Sequence, residues 1–95
     1  MIERHVTFDV LPNMGMDFEK LFTDKYRPAM SRQPGFVKVE LLREQENPNR
    51  YQMIIRFLTT EDATAWRNSP DHQAISPRLK ALYSNSQLQV YDVIA

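Results

Sequence analysis

The apolar residues of this chain switch between two spacings, and the order of those switches limits the fold more than any single residue does. Ile2, Arg4, Val6, Phe8 and Val10 alternate with Glu3, His5, Thr7, Asp9 and Leu11. Four of the first set are apolar and most of the second are polar, so Ile2 to Leu11 reads as a strand with one face on a core. Pro12, Asn13 and Gly15 end it. From Met16 the spacing becomes helical, with Phe18, Leu21, Phe22, Tyr26, Ala29 and Met30 on one side and Glu19, Lys20, Asp24 and Lys25 on the other. Asp17 is the expected cap. Pro28 lacks an N–H and would meet the carbonyl of Asp24, which predicts a kink or reset in the last turns, and Pro34-Gly35 stops the helix. Alternation then returns over Phe36 to Arg43, where Val37, Val39 and Leu41 oppose Lys38 and Glu40, with Phe36 and Leu42 making the second face partly apolar. The polar run Glu44 to Arg50, centred on Asn47-Pro48-Asn49, has hairpin length. It leads to a third strand with Tyr51, Met53, Ile55 and Phe57 on one face and Gln52, Ile54, Arg56 and Leu58 on the other.

Phe57 to Gln73, FLTTEDATAWRNSPDHQ, contains two helix starts, the only tryptophan and one of the two histidines. Thr59 and Thr60 are capping residues followed by Glu61 and Asp62, whose charges suit the positive end of a helix. Ser69, Pro70 and Asp71 repeat the signal, with serine as cap, proline at the first helical position and an acid in the first turn. Ile75, Leu79, Leu82 and Tyr83 continue this second helix, interrupted by Pro77, and Leu88, Val90 and Ile94 belong to a last strand. The order is β-α-β-β-α-β. It predicts a single α+β domain over residues 1–95: a ferredoxin-like, four-stranded antiparallel sheet with the helices on one face. The first and third strands are central, and the face away from the helices carries His5, Thr7, Asp9, Gln52, Ile54 and Arg56. A mixed face on so small a domain suggests that two subunits pair sheet against sheet as a homodimer.

Twelve basic and twelve acidic residues cancel, which removes the electrostatic argument for nucleic acid or an anionic membrane as partner. No cysteine is present, so disulfides, thiolate metal sites and cysteine nucleophiles are excluded. MIERHVTF places charges and a histidine where a secretory signal needs an apolar run, and no stretch has the length of a membrane span; the cytoplasm is the default compartment. Gly15 and Gly35 are the only glycines and cannot build a phosphate-cradling loop for a nucleotide or flavin. Two histidines without a clustered ligand motif make a poor metal site, so no cofactor is expected.

A helix ending in Gln33-Pro34-Gly35-Phe36, the strands VKVELL and YQMIIRFL, then TTEDATAW, Asn68-Ser69 and His72 form a series over nearly the whole chain. In order and spacing it resembles the antibiotic biosynthesis monooxygenase domain family. Phe57 is a departure, since many relatives have tryptophan there. The resemblance implies a dimeric α+β barrel. The family includes oxygenases of aromatic polyketides and quinols that use neither metal nor flavin, haem-degrading enzymes, a sugar-phosphate isomerase and members without known activity, so the fold transfers better than the function. The haem-degrading group resembles this chain at Trp66. Its haem-ligating histidine, however, would fall near Ser76 and its first-strand asparagine near Arg4 or His5, so none of its chemistry is carried over.

An oxygenase without metal or flavin needs a substrate that supplies the electrons, typically a phenol or enol that becomes electron-rich when deprotonated. The protein then offers a base, an aromatic-lined apolar pocket and hydrogen bonds to the developing oxyanion. His72 is the best base available. Its place in the first turn of a helix disfavours the imidazolium, although adjacent Asp71 opposes that effect; the plain alternative is a residue that satisfies backbone groups at the helix junction. Trp66 reads as core with one edge on a pocket. Phe22, Tyr26 and Met30 would face the same space, and Tyr26 or Tyr83 could donate a hydrogen bond to a substrate oxygen, although all four also serve as core. His5, with Asp9 and Arg56 as candidate neighbours, reads as an interface histidine, and Arg56 as an interface ion-pair partner. Two functions are thus expected from one architecture: a cofactor-independent monooxygenase acting on a small quinol or polycyclic phenol, or a non-catalytic dimeric protein that binds a small apolar or aromatic ligand.

Overall fold

The computed structural model describes residues 1–95. Strand β1 (Ile2–Val10) is followed by helix α1 (Gly15–Leu21), a π-helical turn (Phe22–Tyr26) and helix α2 (Arg27–Ser31). The hairpin β2 (Phe36–Arg43) and β3 (Arg50–Phe57), helices α3 (Thr60–Arg67) and α4 (Pro70–Lys80), and strand β4 (Tyr83–Asp92) complete the chain. The strands form one antiparallel sheet in the order β2-β3-β1-β4, so β1 and β3 are central. This is the ferredoxin-like α+β arrangement anticipated from the alternating periods. No helix is long and apolar enough to cross a membrane.

The first helical segment begins at Gly15 without a side-chain cap, and Asp17 lies in its first turn rather than at the cap. The disturbance expected from Pro28 takes the form of the π-helical turn just before it, where the Arg27 amide reaches back five residues to the Phe22 carbonyl. An extra residue in the turn accommodates a proline ring that the regular ladder would not. The chain then resumes α-helix with Pro28 in its first positions. Pro77, by contrast, leaves α4 continuous over eleven residues. Its missing N–H removes only the bond to the Gln73 carbonyl.

The core lies between the helices and one sheet face, with Trp66, Phe18, Phe57, Met30 and Met53 its largest fully buried side chains. Phe8 packs edge-on to Phe18 and to Tyr83, with ring centroids 5.2 and 4.9 Å apart. Three sequence expectations change here. A register shift between Phe36 and Lys38 adds a residue to β2, so Phe36 turns onto the core against Phe57 while Val37 is exposed. Tyr83 opens β4 instead of ending a helix, because α4 stops at Lys80. Ile94 lies beyond β4 and is exposed, as are Leu88 and Val90 on the edge strand, since the helices do not reach over that edge.

Gly35 joins α2 to β2 at φ +76°, and a Cβ there would run into the carboxylate of Asp62. Gly35→Ala is therefore expected to destabilise the domain by about 1–3 kcal/mol, read as a lower urea midpoint at unchanged slope. Rotation of the Asp62 side chain would move its carboxylate away but not its Cβ, which also lies too close, and would leave the backbone strain.

Candidate active site

Ser69 ties together the two helices that carry the conspicuous side chains. Its Oγ donates to the Trp66 carbonyl at 2.7 Å and accepts from the His72 amide at 3.1 Å, and it is the one polar residue in the buried set. It thus caps α4 while satisfying the end of α3. Thr59 caps α3 in the same way, accepting from the Asp62 amide at 3.1 Å. The short connection holds the Trp66 and His72 rings edge to face, 5.1 Å apart at 85°. Tyr26 from the π-helical turn closes the corner, 5.4 Å from Trp66 and 6.0 Å from His72.

These three rings line a cleft of about 260 Å³ between the helices and the β1–β4 side of the sheet. Val6, Phe8, Ile55, Leu79, Tyr83 and Leu88 supply most of its apolar wall, and Arg4, Arg67, Ser76, Lys80 and Ser86 its other polar groups. A depression of about 390 Å³ at the β2–β3 hairpin is larger but has only two apolar lining residues, so it lacks the apolar wall with convergent polar groups that a small-molecule site needs. No group of three or more histidine, aspartate or glutamate side chains is placed to hold a metal ion.

Of the residues singled out in the sequence, Trp66, Tyr26, His72 and Tyr83 line the cleft. Phe22 and Met30 do not. Both are buried in the core, Phe22 stacked on Tyr26 with the Arg27 guanidinium 5.7 Å from its ring centroid, because the π-helical turn leaves only Tyr26 of this stripe at the opening. His5 and Arg56 sit on the opposite sheet face and share Glu3 rather than Asp9. The Arg56 guanidinium donates to Glu3 Oε1 at 2.6 and 2.9 Å, and His5 Nε2 lies 2.7 Å from Glu3 Oε2. Asp9 instead accepts from Arg50 and Asn85. Arg4, Arg67 and Lys80 were not singled out in the sequence. For Arg4 the signal was present, as the one charged residue in the apolar row of a central strand.

The electrostatics assign distinct states to the two polar rings. Burial lowers the pKa of His72 from its ordinary 6.5, and the positive charges of Arg67, Lys80 and Arg4 lower it further. Its ring makes no hydrogen bond within the protein. The imidazole is thus neutral at pH 7 and free to accept a proton; burial and three cations keep it so, rather than the helix end invoked from sequence. Burial pushes the Tyr26 phenol up to about 12, only partly offset by Trp66 and Arg4, so Tyr26 stays protonated and can only donate to an oxyanion.

The family model for antibiotic biosynthesis monooxygenases matches residues 1–78. The chain belongs to that family. Among solved structures, SnoaB, a cofactor-independent oxygenase from Streptomyces nogalater studied there as a point mutant, shares 25% identity at a TM-score of 0.88, covering 97% of this chain and 91% of SnoaB. A Bordetella bronchiseptica protein described as a candidate antibiotic biosynthesis monooxygenase shares 24% identity at 0.88, covering 99% and 97%. A similarly described Caulobacter crescentus protein shares 17% at 0.90, covering 99% and 90%. The last two likenesses concern the fold alone. A comparison with curated protein sequences finds no match. For this antibiotic biosynthesis monooxygenase domain, the matched region contains Trp66, Ser69 and His72, whereas Lys80, Tyr83 and all of β4 lie beyond it.

Proposed function

We propose that the protein is a cofactor-independent monooxygenase that oxidises a small quinol, anthrone or polycyclic phenol in the cleft between helices and sheet. The observation that carries this reading is a neutral His72 set against Trp66 and Tyr26 at an apolar opening. His72 removes a proton from the phenol or enol, and the resulting anion is electron-rich enough to react with dioxygen. Tyr26 donates a hydrogen bond to the substrate oxyanion, with Tyr83 a second candidate donor, while Trp66 forms the wall against which the ring system packs. With an anthrone, a ring CH2 becomes a carbonyl: one atom of dioxygen enters the product, the other leaves as water with the two hydrogens, and the substrate supplies all four electrons.

The experiment is oxygen uptake by purified protein with a panel of anthrones and quinols. Uptake above the buffer rate with at least one member is expected; buffer-rate uptake across the panel would favour a protein that only binds a ligand in the same cleft. The working unit is a homodimer joined through the outer sheet face, where Glu3, His5 and Arg56 form a polar cluster beside Ile54 and no helix covers the sheet. A solution mass of twice one chain at micromolar concentration is expected, and a monomeric mass would remove this part of the proposal.

A further inference from the structure

Three permanent cations face the cleft without a carboxylate among its lining residues. Of the nine other basic side chains, Lys20, Arg32, Lys38, Arg43, Arg50 and Arg56 are each paired with an acid, and Lys25, Arg27 and Arg78 are unpaired but exposed outside the cleft. Arg4, Arg67 and Lys80 have no such partner although the chain as a whole is charge-balanced. Arg4 is the most constrained of the three. It lies on the central strand β1, at the floor of the cleft, and its Nε is buried with no hydrogen-bond partner. A buried donor left unmatched is costly, and a guanidinium cannot relieve the cost by losing its proton.

We infer that the cleft is built for an aromatic carboxylate, whose carboxyl group pairs with Arg4 at the floor while Arg67 and Lys80 supply positive potential at the mouth. This deepens the oxygenase reading and rests on it for the choice of cleft. An oxyanion formed during reaction would not by itself account for the arrangement, because the three cations face the cleft before any chemistry. The shape of the guanidinium also points to the kind of anion. With Nε sealed inside the protein, the two Nη groups are the end that a ligand can reach, and their N–H groups match the two oxygens of a carboxylate. The apolar wall and the three rings leave the remainder of the ligand aromatic. Arg67 and Lys80 are exposed, so salt screens their contribution more than that of Arg4.

The test compares 1-hydroxy-2-naphthoate with 1-naphthol, which share a ring system and differ by the carboxylate, by calorimetric titration of the full chain at pH 7. The acid is expected to bind at least ~10-fold more tightly, the ratio for a charge-assisted pair worth about 1.4 kcal/mol. Arg4→Gln should bring that ratio to within about threefold without weakening 1-naphthol, and Lys80→Gln should reduce it by less. Equal binding of the two compounds by the unmodified protein would overturn the inference whether or not the Arg4 variant folds, as would an undiminished preference in a folded Arg4→Gln. The two readings fail separately. Preference for the acid without oxygen uptake from any substrate leaves the carboxylate site standing and removes the oxygenase, whereas uptake from neutral anthrones without that preference does the reverse.

Discussion

Replacing His72 with alanine is expected to lower turnover of an accepted substrate by about 10²–10⁴-fold, the usual contribution of a positioned general base. The fold should survive, since His72 is half-buried and its cap contact with Ser69 uses the backbone amide, which alanine retains. Circular dichroism and the urea midpoint check that condition. The pH profile provides a readout that a merely structural histidine would not move. Because the folded protein holds His72 below its ordinary 6.5, the neutral base persists into mildly acidic solution, and the acid limb of the rate should lie below pH 6.5. The same shift has a consequence for stability. Below 6.5 the unfolded chain takes up a proton that the folded chain resists, so the contribution is complete above 6.5 and is lost as pH falls through the window below it. His72→Ala should flatten that dependence. Unchanged turnover in a folded His72→Ala protein would leave the histidine as a residue of the helix junction.

Trp66→Ala is expected to remove about 3–5 kcal/mol of stability, the range for truncating a fully buried aromatic residue. Trp66 is 1% exposed, and its ring packs edge to face with both Tyr26 and His72, so nothing nearby can collapse into the space without moving the other two. Against a total of about 5–15 kcal/mol for a domain of this class, the loss is large. Denaturant unfolding measures it directly. Trp66→Phe should cost far less, because a smaller ring still fills part of the site. If the Phe variant folds normally yet loses substrate affinity, Trp66 contributes to binding through its edge as well as to the core. A cost under about 1 kcal/mol for Trp66→Ala would mean that the Trp66 ring is not locked between Tyr26 and His72.

Much of the architecture was legible because it depends on local rules. Period-two alternation in Ile2–Val10 and Arg50–Phe57 placed the central strands. Thr59 and Ser69 read as caps because a short side-chain oxygen before an acidic first turn has few other uses, and both accept from the backbone amide three residues on. Where the reading failed, a neighbour had changed the outcome. The bulge in β2 exchanged the roles of Phe36 and Val37, which strict alternation cannot foresee. Pro77 lies inside a continuous α4, whereas a π-helical turn precedes Pro28, a difference that the sequence does not signal.

The cleft divides along the same line. The sequence by itself determined the strand and helix order and the capped junction that brings Trp66 near His72, which follow from periodicity and capping along the chain, while the family is known from the likeness of the motif series and the family-model match. Only the tertiary structure decided what surrounds His72. Arg4, Arg67 and Lys80 come from β1, α3 and α4, separated by up to seventy-six positions, and converge only once the sheet and helices pack. Coulomb interactions and desolvation depend on distance through space, not along the chain. The neutral state of His72 and the unmatched Arg4 therefore become visible only in the folded protein.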